Sequence, residues 1–386
     1  MVFLNKSAVY VFCFLACLVL RASANCPSAD LTGDCRVDFA DLEILADRWI
    51  LAGEEDLTGD SLFNFSDYAV LATQWMMEGS KANNLILVRG GTFQMGDSLN
   101  EGNFDERPAH AVTLSSFYMS PHETTNGQYC EFLNSAVSQG LITITNGIVY
   151  QGDSGIDYPY CDLSTSSSYS QIVHRDDIFS VRRKGGRDMS NDPMIRVSWY
   201  GAVAYCNWRS EQEGRQPCYN LSTWEYNLSK NGYHLATEAQ WEYAARSGRS
   251  GGRFPWGDTI THDAANYWSS SSYSYDTSST RGYHPSWNDG IHPYTSPVGT
   301  FGANGYGLYD MAGNVWEWCN DLYGSYSVSP KTDPTGSPTG NSRVFRGGGW
   351  SGDADFCRIA LRSYIGPRYR HFSLGFRVCN AGDFQP

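Results

Sequence analysis

With 386 residues the chain has room for one large domain and a small one. Its formal net charge is −13, and its 28 lysines and arginines are scattered rather than clustered. That balance argues against nucleic acid and against an anionic membrane surface as partners.

In chain order the first signal is a leader. Lys6 precedes an apolar run from Ala8 to Leu20, and Ala22-Ser23-Ala24 reads small-x-small, so residues 1–24 are expected to be a secretory signal peptide. The run is too short for a permanent membrane span. Leu15-Ala16-Cys17 resembles a lipoprotein box, but the apolar stretch continues past it. Cleavage near Ala24 places the protein outside the cytoplasm, secreted or at the cell surface, and leaves nine of the 11 cysteines for an oxidising compartment.

Residues 25–75 carry an internal repeat. Asp30 to Asp41 reads D-L-T-G-D-C-R-V-D-F-A-D, and 26 residues later Asp56 to Asp67 reads D-L-T-G-D-S-L-F-N-F-S-D. Each fits a calcium loop of the EF-hand kind, with oxygens at fixed positions and a glycine at the sharp turn. In the first loop the ligands are Asp30, Thr32, Asp34, the Arg36 carbonyl, Asp38 and Asp41. In the second they are Asp56, Thr58, Asp60, the Leu62 carbonyl, Asn64 and Asp67. Four carboxylates against three predict tighter binding at the first loop. A short amphipathic helix is expected after each, since Leu42, Leu45 and Trp49 recur as Tyr68, Leu71 and Trp75. Two such loops in register resemble the dockerin family, which implies a cohesin-like docking partner. Residues 76–84 are polar and small enough for a linker.

The remainder is dominated by one tract. Asn304 to Trp318 reads N-G-Y-G-L-Y-D-M-A-G-N-V-W-E-W. Its glycines allow tight turns, its aromatics anchor it, and Asp310 and Glu317 bracket backbone carbonyls, a donor set that suits a hard cation such as calcium. Upstream lie Met95-Gly96, E-R-P-A-H-A-V-T-L from Glu106, E-T-T-N from Glu123, V-S-W-Y-G-A-V-A-Y-C-N-W from Val197, L-A-T-E-A-Q-W-E-Y-A-A-R from Leu235 and F-P-W-G from Phe254. Downstream follow R-V-F-R-G-G-G-W from Arg343, C-R-I-A-L-R from Cys357 and L-G-F-R-V from Leu374. In this order they resemble the formylglycine-generating enzyme family, the sulfatase-modifying factors, over residues 85–380.

The resemblance implies an α+β fold, irregular and related to C-type lectins, with little regular structure. It also implies an activity: family members oxidise a sulfatase cysteine to formylglycine with copper(I) held by two thiolates, the soft ligands that ion prefers. The pair is spaced C-x-x-x-x-C in active members. Here the segment from Trp350 to Arg362 is about three residues shorter and holds only Cys357, while the position of the second thiolate falls at Ala354. Neither copper nor a catalytic residue is therefore expected. Cys357 is left as a weak candidate nucleophile or, more plainly, as a buried thiol or a disulfide with Cys319 as one possible partner. The family further implies one disulfide between Cys206 and Cys379, whereas the positions of a second bridge read Ala245 and Ile359.

Two calcium ions also follow from the resemblance. One maps to Asp310, Gly313, Val315 and Glu317, the glycine and valine acting through carbonyls. The other maps to Asn266, Tyr267, Asp289 and Ile291, across a Ser/Tyr-rich insertion. The stretches 140–192 and 268–289 are expected to be long irregular loops, either suited to a peptide or glycan client or disordered. His122-Glu123 lacks the second histidine of a zinc-protease helix, and the chain has neither G-x-S-x-G nor a P-loop.

Overall fold

Three α-helices among the described residues start where a hydroxyl or amide side chain closes the first turn. The computed structural model describes residues 85–382. The expected signal peptide, both repeat loops and the linker lie outside them. Helix α1 (Asn126–Ser138) is capped by Thr125, whose hydroxyl accepts from the Gln128 backbone N–H while the Gln128 side chain reaches back to Thr125. Helix α2 (Trp199–Gln212) is capped by Ser198, and α3 (Glu238–Arg246) by Thr237 with Gln240 closing a second reciprocal pair. Each cap sits inside one of the motifs quoted above, so those short polar residues set helix starts.

Tyr129, Phe132, Leu133 and Ala136 form the buried stripe of α1 and pack with Val203 and Tyr205 of α2 and with Phe376. A second cluster gathers Trp241 and Ala244 of α3 over Val112, Leu114 and Val344. Under α3 the burial is ionic as well: Glu238 and Glu242 pair with the buried guanidiniums of Arg362 and Arg346. Removing one member of such a pair costs about 3–5 kcal/mol, because a charge is left buried without its partner.

The strands are short and many. One antiparallel sheet runs in the order Ile86–Val88, Phe117–Met119, Val378–Asn380, Tyr233–Leu235. A second runs Ser363–Ile365, Arg343–Arg346, Trp316–Leu322, Leu374–Gly375, with the last pair parallel. The second sheet brings the end of the tract, the R-V-F-R motif and the L-G-F-R motif side by side. This is an α+β arrangement with far more strand than helix.

The stretch 140–192 departs from the expected irregular loop. It holds seven short strands, including the ladder Ile142–Thr145, Ile148–Gln151, Pro159–Asp162 and the hairpin Ile172–Arg175 with Ile178–Val181. Alternating Ile, Val and Tyr on either side of Asn146-Gly147, both at positive φ, is the hairpin signal that the local composition masked. The stretch 268–289 has no strand but is ordered around one buried carboxylate. Asp276 accepts from Tyr267 Oη (2.7 Å), Ser269 Oγ (2.9 Å), the Ser270 amide (2.8 Å) and Arg281 Nη1 (3.0 Å). No described helix is long and apolar enough to cross a membrane.

Candidate functional site

The tract is fixed at its start by Asn304, whose carbonyl oxygen accepts from the Tyr306 and Leu308 amides and whose NH2 donates to Ala244 O at 2.8 Å. It then turns through left-handed backbone at Asp310 (φ 56°), Gly313 (φ 87°) and Asn314 (φ 58°) before entering the strand Trp316–Leu322. Gly313 is required twice over, since a Cβ there would also lie 2.6 Å from Asn266 O. The Asn314 amide donates to the same carbonyl at 2.7 Å. The segments expected to hold the two calcium ions are therefore in direct contact.

Asp310 and Glu317 do converge, and they bring a third carboxyl that the calcium-ligand expectation did not include. Glu123, from the E-T-T-N motif, is 1% exposed and faces Asp310. One of its oxygens accepts from Asn314 Nδ2 at 3.1 Å, while Oε2 has no hydrogen-bond partner among the described residues. Glu317 is held by Arg377 in a two-pronged pair, 2.7 Å at each oxygen, and by Trp241 Nε1 at 2.9 Å. Asp310 accepts from the Gly299 amide at 2.7 Å.

Burial first, then Asp310, lifts the Glu123 pKa well above the usual carboxylate range, against the pull of Arg377. Burial raises Asp310 to about 6, with the neighbouring Glu317 adding to the shift. Three buried carboxyls against one guanidinium leave a formal excess of two negative charges, and Glu123 and Asp310 can face each other only with a proton or a cation between them. Arg377 already holds both Glu317 oxygens, so among these carboxyls Glu123 Oε2 is an acceptor left for a divalent hard cation. Among the described residues no three His, Cys, Asp or Glu side chains form a metal cluster, so an ion here would also draw on backbone oxygens such as those of Gly313 and Val315.

The second set is less free. Asn266 is 1% exposed and donates to Tyr294 O at 2.8 Å, and its Oδ1 has no partner among the described residues. The Tyr267 carbonyl already faces His262 Nε2 at 3.1 Å. Asp289 accepts from the Ile291 amide at 3.0 Å and pairs with Lys184 Nζ at 3.1 Å. Ile291 itself is 48% exposed.

Cys357 is fully buried in a cluster with Phe254, Ile260, Tyr267 and Ala354, and it is the only cysteine there. Burial, then Asp353, Asp276 and Asp355, pushes its thiol far above the ordinary range, which suits an inert thiol. Cys319 belongs to a different cluster. All seven described cysteines are unbonded thiols, so the bridge expected between Cys206 and Cys379 is not formed. The two are electrostatic neighbours, because α2 and the strand bearing Cys379 both pack on Tyr233–Leu235. Ala245 and Ile359 are buried in one cluster, as an apolar replacement of a second bridge requires.

Beside the shortened segment lies an aromatic face. Trp350 is 5.3 Å from the ring of Tyr294, 5.5 Å from Phe372, 5.6 Å from His292 and 5.8 Å from Tyr283. Tyr169 stacks on Phe372 at 4.9 Å. Tyr169, Tyr283, Trp287, His292 and Phe372 are half-buried, and Trp287 Nε1 and His292 Nδ1 have no partner among the described residues. Tyr169, Tyr283 and Trp287 come from the two stretches read as loops, whereas His292, Tyr294, Trp350 and Phe372 lie outside them, beyond the reach of local composition.

The fold is that of a known group: Treponema denticola variable protein 1 superposes with a TM-score of 0.54 at 24% identity, covering 77% of this chain and 95% of that one. Sequence narrows the group. The profile of the family described as "Sulfatase-modifying factor enzyme 1-like domain" matches residues 73–381. The formylglycine-generating enzyme of Streptomyces coelicolor is 32% identical over 318 residues, covering 77% of this chain and 89% of that protein. The protein named inactive C-alpha-formylglycine-generating enzyme 2 of Bos taurus is 28% identical over 323 residues, covering 78% and 89%. The chain belongs to the formylglycine-generating enzyme (sulfatase-modifying factor) family.

Proposed function

We propose that the family domain of this chain is a calcium-stabilised binding module rather than a copper-thiolate oxidase. The observation that carries the proposal is the place where the thiolate pair would meet: the position of the second thiolate is Ala354, the nearby Cys357 stands at neither position of the pair, both are fully buried, and no other described cysteine shares their cluster. Copper(I) needs two soft ligands at one point, and a lone, protonated, desolvated thiol does not supply them. The aromatic face around Trp350 takes the ligand, a peptide or glycan, through ring stacking. Calcium, if bound at Asp310, Glu317 and the carbonyls of Gly313 and Val315, would offset the buried negative excess and hold the tract beneath that face. The dockerin-like repeat would tether the secreted protein to a cohesin-like partner.

A second reading, oxidation of a sulfatase cysteine to formylglycine, is favoured by the family and by the named activity of the Streptomyces relative. Copper content after anaerobic loading, with oxygen uptake on a C-x-P-x-R peptide, separates the two. Binding without activity predicts substoichiometric copper and no uptake; one copper per chain with turnover overturns the proposal. The calcium part is checked separately: Asp310→Asn should shrink the rise in thermal midpoint that calcium gives the wild type.

A further inference from the structure

Lys184 is an unusual lysine, 3% exposed, in a domain whose other charged groups at this depth sit mainly in paired networks. It lies on the two-residue strand Arg183–Lys184, joined to Arg187–Asp188 through Gly185 (φ 56°) and Gly186 (φ 88°), a tight turn that only such residues make easily. The hairpin is anchored just past the lysine. Arg187 pairs with Asp192 at 2.6 and 3.0 Å and donates to Thr295 O at 3.2 Å, and a Cβ at Gly185 would lie 3.7 Å from Ile291 Cδ1. The hairpin thus covers the segment from Asp289 to Thr295.

Into that segment Lys184 delivers a charge. Its Nζ donates to Pro293 O at 2.7 Å, pairs with Asp289 Oδ2 at 3.1 Å and stands 5.8 Å from the Tyr294 ring centre. The other Asp289 oxygen is taken by the Ile291 amide, and the Tyr267 carbonyl by His262. Of the side-chain oxygens expected at the second calcium site, only Asn266 Oδ1 has no partner among the described residues. Calcium needs six to eight oxygens, and a fixed ammonium among them both occupies acceptors and repels the ion.

We infer that Lys184 is a built-in counter-ion that closes the second site to calcium, its ammonium doing for Asp289 and the Pro293 carbonyl what a bound ion would otherwise do. The inference does not depend on the binding role above. It concerns the second site alone.

The test counts calcium bound to the full-length chain by titration calorimetry and elemental analysis, using differences so that ions on the repeat loops cancel. Lys184→Met, which keeps the stem and removes the charge, should bind one calcium more than wild type, and adding Asp289→Asn should abolish the extra ion. Asp289→Asn alone should leave the count unchanged. Equal counts in wild type and a folded Lys184→Met overturn the inference. If Lys184→Met does not fold, Asp289→Asn decides: an unchanged count upholds it, and loss of one ion shows that Asp289 binds calcium beside the lysine.

Discussion

The side-chain amide of Asn314 donates to Glu123 Oε1 at 3.1 Å across 191 residues of chain. Its own oxygen accepts from the Ser296 amide, so one asparagine in left-handed backbone ties the E-T-T-N motif, the tract and the segment after the second site together. Asn314→Ala strands those partners in a buried place and should cost about 1–3 kcal/mol. Asn314→Asp should cost more at neutral pH, since it sets a fourth carboxyl beside Glu123. Urea midpoints give both; equal losses would show that the site does not feel charge.

Arg377 is the cation that faces Glu123, Asp310 and Glu317. Arg377→Met is expected to destabilise by about 3–5 kcal/mol. Pairing it with Glu317→Gln should recover part of the loss. A strictly additive double mutant would mean that Arg377 matters only for its packing.

Gly313→Ala meets two obstacles, a φ of 87° and the Asn266 carbonyl at 2.6 Å. The left-handed backbone alone costs roughly 1–2 kcal/mol, and the backbone contact adds to it. A thermal midpoint within error of wild type would show that the tract and the Asn266 segment are not locked together.

Asp321 is 3% exposed, and burial first, then Glu238, lifts its pKa to about 8. The unfolded chain releases this proton near pH 4, whereas the folded chain keeps it to about 8, so the native state binds more protons in between. Stability contributed here is greatest at low pH and falls as pH rises through that window, by up to ~1.4 kcal/mol per pH unit. Asp321→Asn should remove this slope. Unfolding free energies of wild type and variant across the window check it, and parallel curves would contradict the assignment.

The fold class was legible through the family motifs, while the helix starts inside those motifs were not read from the sequence. Thr125, Ser198 and Thr237 open the helices from within motifs that are readable as strings. The convergence of Asp310 and Glu317 was legible because only six residues of one turn-rich tract lie between them. What stayed hidden is non-local. Glu123 and Arg377 enter the acid site from opposite ends of the domain, and Lys184 arrives on a hairpin inside a stretch that composition presented as loop. The Cys206 to Cys379 bridge came from family resemblance, and chain proximity alone does not make the bond.

The strands Ile86–Val88 and Val378–Asn380 flank Phe117–Met119 as its two neighbours. Neighbouring strands are about 4.8 Å apart, so entry and exit of the domain lie roughly 10 Å from each other. Such a domain behaves as a cassette: a host protein can accept it within a surface loop, or its ends can be fused and new ones cut elsewhere, without stretching either polypeptide.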